Sequence, residues 1–239
     1  MDLLRNKLLV ALFIYIFPLV HVFGQEDKTF QNRFSIQFIP KTDEVPFVLG
    51  KRFFAEKWKD SLQIDILKFY ISAIELLNSD LVVWTENESF HLINVFSESS
   101  VELVVDVPTK LQFNTLKFNI GIDSLTNVSG AMGGDLDPTK GMYWTWQNGY
   151  INFKLEGKSK QCKTRNNEFK FHLGGYQFPE NALQTIILDI DRTKQTYIQI
   201  DLTKFIEESD LLNSPTIMSP GKETMRISAK LPSMFSIQK

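Results

Sequence analysis

Apolar and polar residues alternate with a period of two in about ten short runs of this chain, the pattern of half-buried β-strands. Phe34-Ser35-Ile36-Gln37-Phe38 places three apolar side chains on one face of an extended segment. Leu62-Gln63-Ile64-Asp65-Ile66 repeats the pattern and runs into the more apolar Phe69-Tyr70-Ile71. The same reading gives strands over 90–96, 101–107, 111–120, 150–156, 168–173, 184–190 and 196–202. Clusters of Gly, Pro, Asn and Asp separate them and close each strand through turn chemistry. A single short helix is expected, near Leu202 to Glu208. The expected fold is therefore all-β: a two-sheet β-sandwich of jelly-roll or immunoglobulin-like kind. An aromatic content of 13%, with 20 Phe, fits strands. The balance of 26 Lys+Arg against 28 Asp+Glu offers no basic face for nucleic acid.

The N-terminus reads as a leader rather than as part of the fold. Arg5 and Lys7 precede an unbroken apolar run from Leu8 to Val20, and Val22-Phe23-Gly24 follows before Gln25-Glu26-Asp27. That is the form of a secretory signal peptide cut after Gly24. The apolar run is shorter than the roughly 18–20 residues that span a bilayer. The expectation is a cleaved signal peptide at 1–24 and one exported, periplasmic domain at 25–239, with no membrane span after cleavage. Cleavage removes His21 and leaves His91 and His172. Cys162 is the one cysteine, so no intramolecular disulfide forms and the fold must rest on its core. Its neighbours, Lys160-Gln161-Cys162-Lys163-Thr164-Arg165, read as a basic polar loop with an incidental surface thiol.

One stretch breaks the strand pattern, from Asp123 to Asn148. Gly130, Gly133, Gly134, Pro138 and Gly141 interrupt it, with Gly149 just beyond. Irregular segments of this length in a compact domain usually carry function or are disordered, and Tyr143, Trp144 and Trp146 argue against disorder. If this part is extended, Met142, Trp144 and Trp146 share one face, as an aromatic core ladder or as a stacking or redox-active pair. In Glu168-Phe169-Lys170-Phe171-His172-Leu173-Gly174-Gly175-Tyr176 the apolar side chains take one face and His172 projects from the other with Lys170. His91 lies in Phe90-His91-Leu92-Ile93-Asn94. The chain has no Gly-rich nucleotide loop, G-x-S-x-G elbow, His-x-x-x-His pair or paired-cysteine zinc pattern.

Taken together, GIDSLTNVSGAMGGDLDPTKGMYWTWQNGYINFKLEG, FHLI, FKFHLGGY and the late IMSPG resemble the MbnP-like copper-binding proteins of bacteria, over residues 32 to 235. The GMYWTWQNGY block is the most specific part of that resemblance. It implies an exported β-rich protein that binds copper. It also implies a partner, a di-haem enzyme of the MauG and cytochrome c peroxidase type, which oxidises a tryptophan to kynurenine beside the copper site. On this sequence the residues for oxidation are Trp144 or Trp146. The copper ligands implied are His91 and His172, with Met218 of Ile217-Met218-Ser219-Pro220-Gly221 as a third. Imidazole and thioether suit the soft Cu(I) ion, and binding should weaken in acid because the ligands must be unprotonated. On this reading the protein is the substrate of an enzyme rather than an enzyme.

Other readings rest on the same segments. Asp123, Asn127, Asp135 and Asp137 interleave oxygen ligands with Gly, either as a calcium site or as turn-forming and capping residues, though the spacing is not that of an EF-hand. A carbohydrate- or protein-binding module would use Trp144, Trp146 and Tyr150 as a stacking platform. A secreted hydrolase would use Asp135 and Asp137 as its paired carboxylates.

Overall fold

The structure is a computed structural model that describes residues 31–42, 45–48, 50–56, 59–97 and 101–238. The signal-peptide reading of residues 1–24 lies outside the described residues.

Two sheets form a sandwich, and strand alternation explains how they meet. The smaller sheet is built on Gln31–Thr42, which pairs in parallel with Thr196–Asp201 and antiparallel with Glu102–Pro108. Phe235–Ile237 extends it along the far edge of Thr196–Asp201. The larger sheet is organised by one long strand, Asp60–Asn78. Along one of its edges lie Gly149–Lys158 and then Thr115–Ile120. Along the other lie Arg52–Ala55, Phe90–Asn94 and Leu81–Thr85. Glu168–Gly174 pairs with the outer edge of Gly149–Lys158, and the short Thr216–Ile217 runs parallel to it beyond.

The layer between the sheets is aromatic. Phe38 of the smaller sheet meets Phe69 and Phe118 of the larger at ring separations of 5.7 and 6.4 Å, both edge-on. Phe235 meets the same two rings at 5.7 and 6.2 Å. Phe205, on the helix Leu202–Glu208, closes the layer against Phe153 and Phe171. Edge-on pairs place the positive ring edge on the negative face of the next ring. The Phe surplus therefore sits largely in the seam of the sandwich.

The long strand does not keep one period. Its core-facing residues run Leu62 and Ile64, then Leu67, Phe69 and Ile71, then Ile74 and Leu76. The first shift lies at Asp65: Glu156 pairs with Ile66, but the next residue, Gly157, pairs with Ile64. A Cβ on Gly157 would stand 2.1 Å from the Gln63 carbonyl oxygen, so only glycine lets the two backbones approach there. The second shift lies at Ala73, which adopts a left-handed φ of 50°. Its N–H donates to the Ser89 carbonyl and the next N–H, of Ile74, donates to Ser89 Oγ. Each bulge exchanges the two faces of the strand by one residue.

Several expectations shift at their edges. The strand expected over 111–120 begins at Thr115, and Asp60–Asn78 is one strand where the sequence pattern showed its first half. The strands Arg52–Ala55 and Leu81–Thr85 were not anticipated. Cys162 is not a surface thiol: it is fully buried in the core, and burial pushes its thiol up to about 11. Asn167 Nδ2 and the Cys162 N–H tie its loop back onto itself, so the basic neighbours point outward while the sulfur packs inward.

Candidate functional site

The outer face of the larger sheet, away from the smaller one, is covered by the chain between Gly121 and Asn148. Tyr70, Leu92, Ile122, Leu136, Met142, Trp144, Tyr150 and Ile151 form a second apolar cluster there. Alternation accounts for it, since Phe69 and Ile71 face the main core and Tyr70 between them faces the covering segment. The Tyr70 hydroxyl donates to the Asp135 carbonyl. The Tyr150 hydroxyl donates to the carbonyl oxygen of Leu136 and accepts from the N–H of Met132. Two tyrosines rooted in strands thus hold the covering segment down.

Within that segment the four oxygen-bearing residues do not converge. Asp123 caps the helix Ser124–Val128, accepting from the Thr126 N–H and hydroxyl. Asn127 Nδ2 donates to the carbonyls of Ile122 and Asp123, while its Oδ1 accepts from the Tyr150 N–H. Asp135 accepts from Lys140 Nζ and the Leu92 N–H, and Asp137 caps the turn Pro138–Lys140 through Thr139. Among the described residues no group of three His, Cys, Asp or Glu side chains is placed to hold a metal. Asp123→Ala is expected to cost about 1 kcal/mol, the usual value of a lost N-cap, read as a lower midpoint in urea.

The two histidines are not neighbours. His91 pairs across the ladder with Ile71 and by register shares its core-directed face, whereas His172 pairs with Lys154 on the opposite face. Two strands lie between theirs, and at about 4.8 Å per strand the two are on the order of 14 Å apart. One ion does not take both. His91 Nε2 is 2.7 Å from Glu86 Oε2, and that oxygen also accepts from the Ser89 hydroxyl that supports the Ala73 bulge. His91 thus belongs to the brace of the bulge.

His172 has a different environment. It is 5% exposed, and its Nε2 stands 2.7 Å from Glu156 Oε1. An ionised carboxylate only accepts, so in the neutral imidazole the proton sits on Nε2 and the lone pair on Nδ1. That Nδ1 is buried without a hydrogen-bond partner. A histidine oriented by a carboxylate through one nitrogen, with the other free, is the arrangement that metal-ligating histidines adopt. The hydrogen bond from His172, aided by the Lys154 ammonium 3.2 Å away, holds the Glu156 carboxyl down from the usual 4.5 to about 2, against the effect of burial.

This lowered value has a consequence for acid stability. A depressed carboxyl stabilises the fold fully above its unfolded value and loses that contribution as pH falls from about 4.5 towards 2. Denaturant midpoints measured across that window should fall, by at most about 3 kcal/mol from this group. Glu156→Gln should flatten that part of the curve.

Met218 and Trp144 come from segments that lie next to the strand of His172. Thr216 and Ile217 pair with Lys170 and Phe171, and Pro220 packs beside Gly175, so Met218 runs alongside His172. It is 42% exposed. On the other side the Trp144 ring lies over Gly174, where a Cβ would come 2.8 Å from Cζ3. Trp144 is 5% exposed, and its Nε1 has no partner. Trp146 does not share its burial: a turn follows Trp144, and Trp146 is 65% exposed while its ring stays 5.8 Å from that of Trp144. Met142 is fully buried within the second apolar cluster.

The rival readings lose their geometry. With Trp144 and Tyr150 buried, Trp146 is the one exposed ring of the three proposed for a sugar platform. Asp135 is neutralised by Lys140 and Asp137 is engaged by Thr139, so the two do not face a shared cleft as acid and base. Glu156 and the orphan Nδ1 of His172 were not legible as a unit in the sequence. The signal that links them is a cross-strand register, visible only once Lys154 is set opposite His172. No helix among the described residues is long and apolar enough to cross a membrane.

A model of the MbnP family matches residues 31–219 of this chain. Among solved structures, MbnP from Methylosinus trichosporium is similar, with a TM-score of 0.61 and 15% identity over 79% of this chain and 83% of that one. At that identity the likeness is one of fold. The comparison with curated proteins returned no match.

Proposed function

We propose, because this chain belongs to the MbnP family, that it is an exported copper-binding protein whose Trp144 is oxidised to kynurenine by a di-haem partner. His172 and Met218 are the ligands assigned here, and His91 is left out because it lies on the other face of the sheet. The observation that carries this reading is the buried, unpartnered Nδ1 of His172, whose other ring nitrogen is held by Glu156, on a strand whose parallel neighbour leads into Met218. Imidazole and thioether favour Cu(I) over calcium or magnesium, and this surface strip holds no cluster of oxygen donors among the described residues. Bound copper would supply a soft, redox-capable centre, and the chain's part is to fix the histidine tautomer and hold the tryptophan close. In this role the protein is acted upon rather than catalytic, and it works in the periplasm after loss of residues 1–24.

The test uses the protein exported from its native host. Cu(I) titration against a chromophoric chelator should show one tight site that weakens as pH falls, and intact mass should show a change located by peptide mapping at Trp144. Absence of competition with the chelator would remove the copper reading. An unmodified Trp144 in a strain with a working haem-maturation system and the partner present would remove the oxidation reading.

A further inference from the structure

Trp144 is buried, yet the indole of Trp146 touches it and stands in solvent. The rings lie 5.8 Å apart and tilted by 42°, with exposures of 5% and 65%. The cover over Trp144 is also firm: Tyr150, in the same cluster, is pinned through its hydroxyl to Leu136 and Met132. A bulky oxidant therefore meets Trp146 first. We propose that Trp146 is the surface terminal of a two-residue electron conduit whose inner terminal is Trp144, an inference that rests on the oxidation reading above and says by which route the electrons leave.

The step balances without any group inside the protein. An outer-sphere one-electron oxidant, such as a high-potential haem, takes one electron from Trp146 and is reduced by one. The Trp146 radical cation then takes one electron from Trp144 across the ring contact. Trp146 returns to its starting state, Trp144 is oxidised by one electron, and no bond forms or breaks in the transfer. Trp144 Nε1 has no hydrogen-bond acceptor, so the proton stays on its indole and the charge stays at the inner ring. Trp146 acts through Trp144 and is a positioning residue for the oxidation, not its site.

The experiment needs neither copper nor the partner enzyme. The mature protein, made in a host that lacks the di-haem partner so that Trp144 is unmodified and kept copper-free, is treated in air-saturated buffer with photogenerated ruthenium(III) tris-bipyridine, a complex too large to enter the core; dioxygen traps the radical, and products are mapped by peptide mass spectrometry. The expected result is oxidation at Trp144 in the wild type despite its burial. In Trp146→Phe that product should be lost, with near-ultraviolet circular dichroism otherwise matching a folded protein. In Trp144→Phe the product should move to Trp146. Oxidation of Trp144 at an undiminished rate in Trp146→Phe overturns the proposal, as does a wild type oxidised at Trp146 alone. Copper titration of Trp146→Phe reads the other hypothesis separately: this variant keeps His172 and Met218 and should bind Cu(I) as the wild type does.

Discussion

His172→Ala is expected to lower Cu(I) affinity by about a hundredfold or more, while His91→Ala stays within about threefold of wild type. The contrast follows from the two carboxylates. Glu156 holds His172 so that a buried Nδ1 is left without a partner, whereas Glu86 holds His91 within the brace that supports Ala73. His91→Ala should instead cost stability, because Glu86 and Ser89 lose a member of their network. Glu156→Gln tests the orientation: the amide can still accept from Nε2 through its oxygen but without charge, so affinity should fall by about tenfold rather than vanish. Competition titrations of the three variants against one chelator would decide it. Equal losses in the two histidine variants would contradict the placement of the site on the outer face.

The second large effect concerns Gly174→Ala. An added methyl would stand 2.8 Å from Trp144 Cζ3, 3.0 Å from Cη2 and 2.7 Å from the Tyr150 carbonyl oxygen. The carbonyl belongs to the ladder and cannot retreat without breaking strand pairing, so the indole must move. Overpacking of this kind costs about 1–3 kcal/mol. The expected observations are a lower thermal midpoint, a red-shifted Trp144 emission in a Trp146→Phe background, and weaker copper binding. Combining Gly174→Ala with Trp144→Phe should recover part of the stability, because the smaller ring leaves room for the methyl. Strict additivity of the two changes would mean that the methyl and the indole do not compete for space.

Much of the fold was legible because alternation is a local signal. The strands near 34–38, 62–66, 168–173 and 196–202 and the helix at Leu202–Glu208 follow directly from residue type and spacing. The short strands Arg52–Ala55 and Leu81–Thr85 carry too few residues to display a period, and their pairing with the long strand defines them. Cys162 misled because its neighbours are polar; a single inward side chain in a turn leaves no periodic trace. Candidate residues for a site can be picked from the sequence, but not how they are grouped. His172, Met218 and Trp144 stand far apart in sequence and their segments are brought to neighbouring strand positions by pairing, while His91 has the same residue type and strand context as His172 but lies on the other face. The exposure that separates Trp144 from Trp146 depends on a turn between them, where an extended segment would have kept the two alike.

The covering segment leaves and rejoins the sheet at nearly one place. Ile120 pairs with Ile71, the Gly121 N–H donates to the Tyr70 carbonyl, and Phe153 pairs with Phe69 on the same edge. Its ends are therefore anchored side by side by backbone hydrogen bonds that are independent of what lies between them. Lengthening such an excursion costs only a slowly growing closure entropy, about 0.6 kcal/mol for each doubling. The expected result of grafting the stretch from Ile122 to Asn148 between two such scaffolds is a folded protein, checked by its thermal midpoint, in which the tryptophans move while His172, Glu156 and the sandwich stay with the recipient.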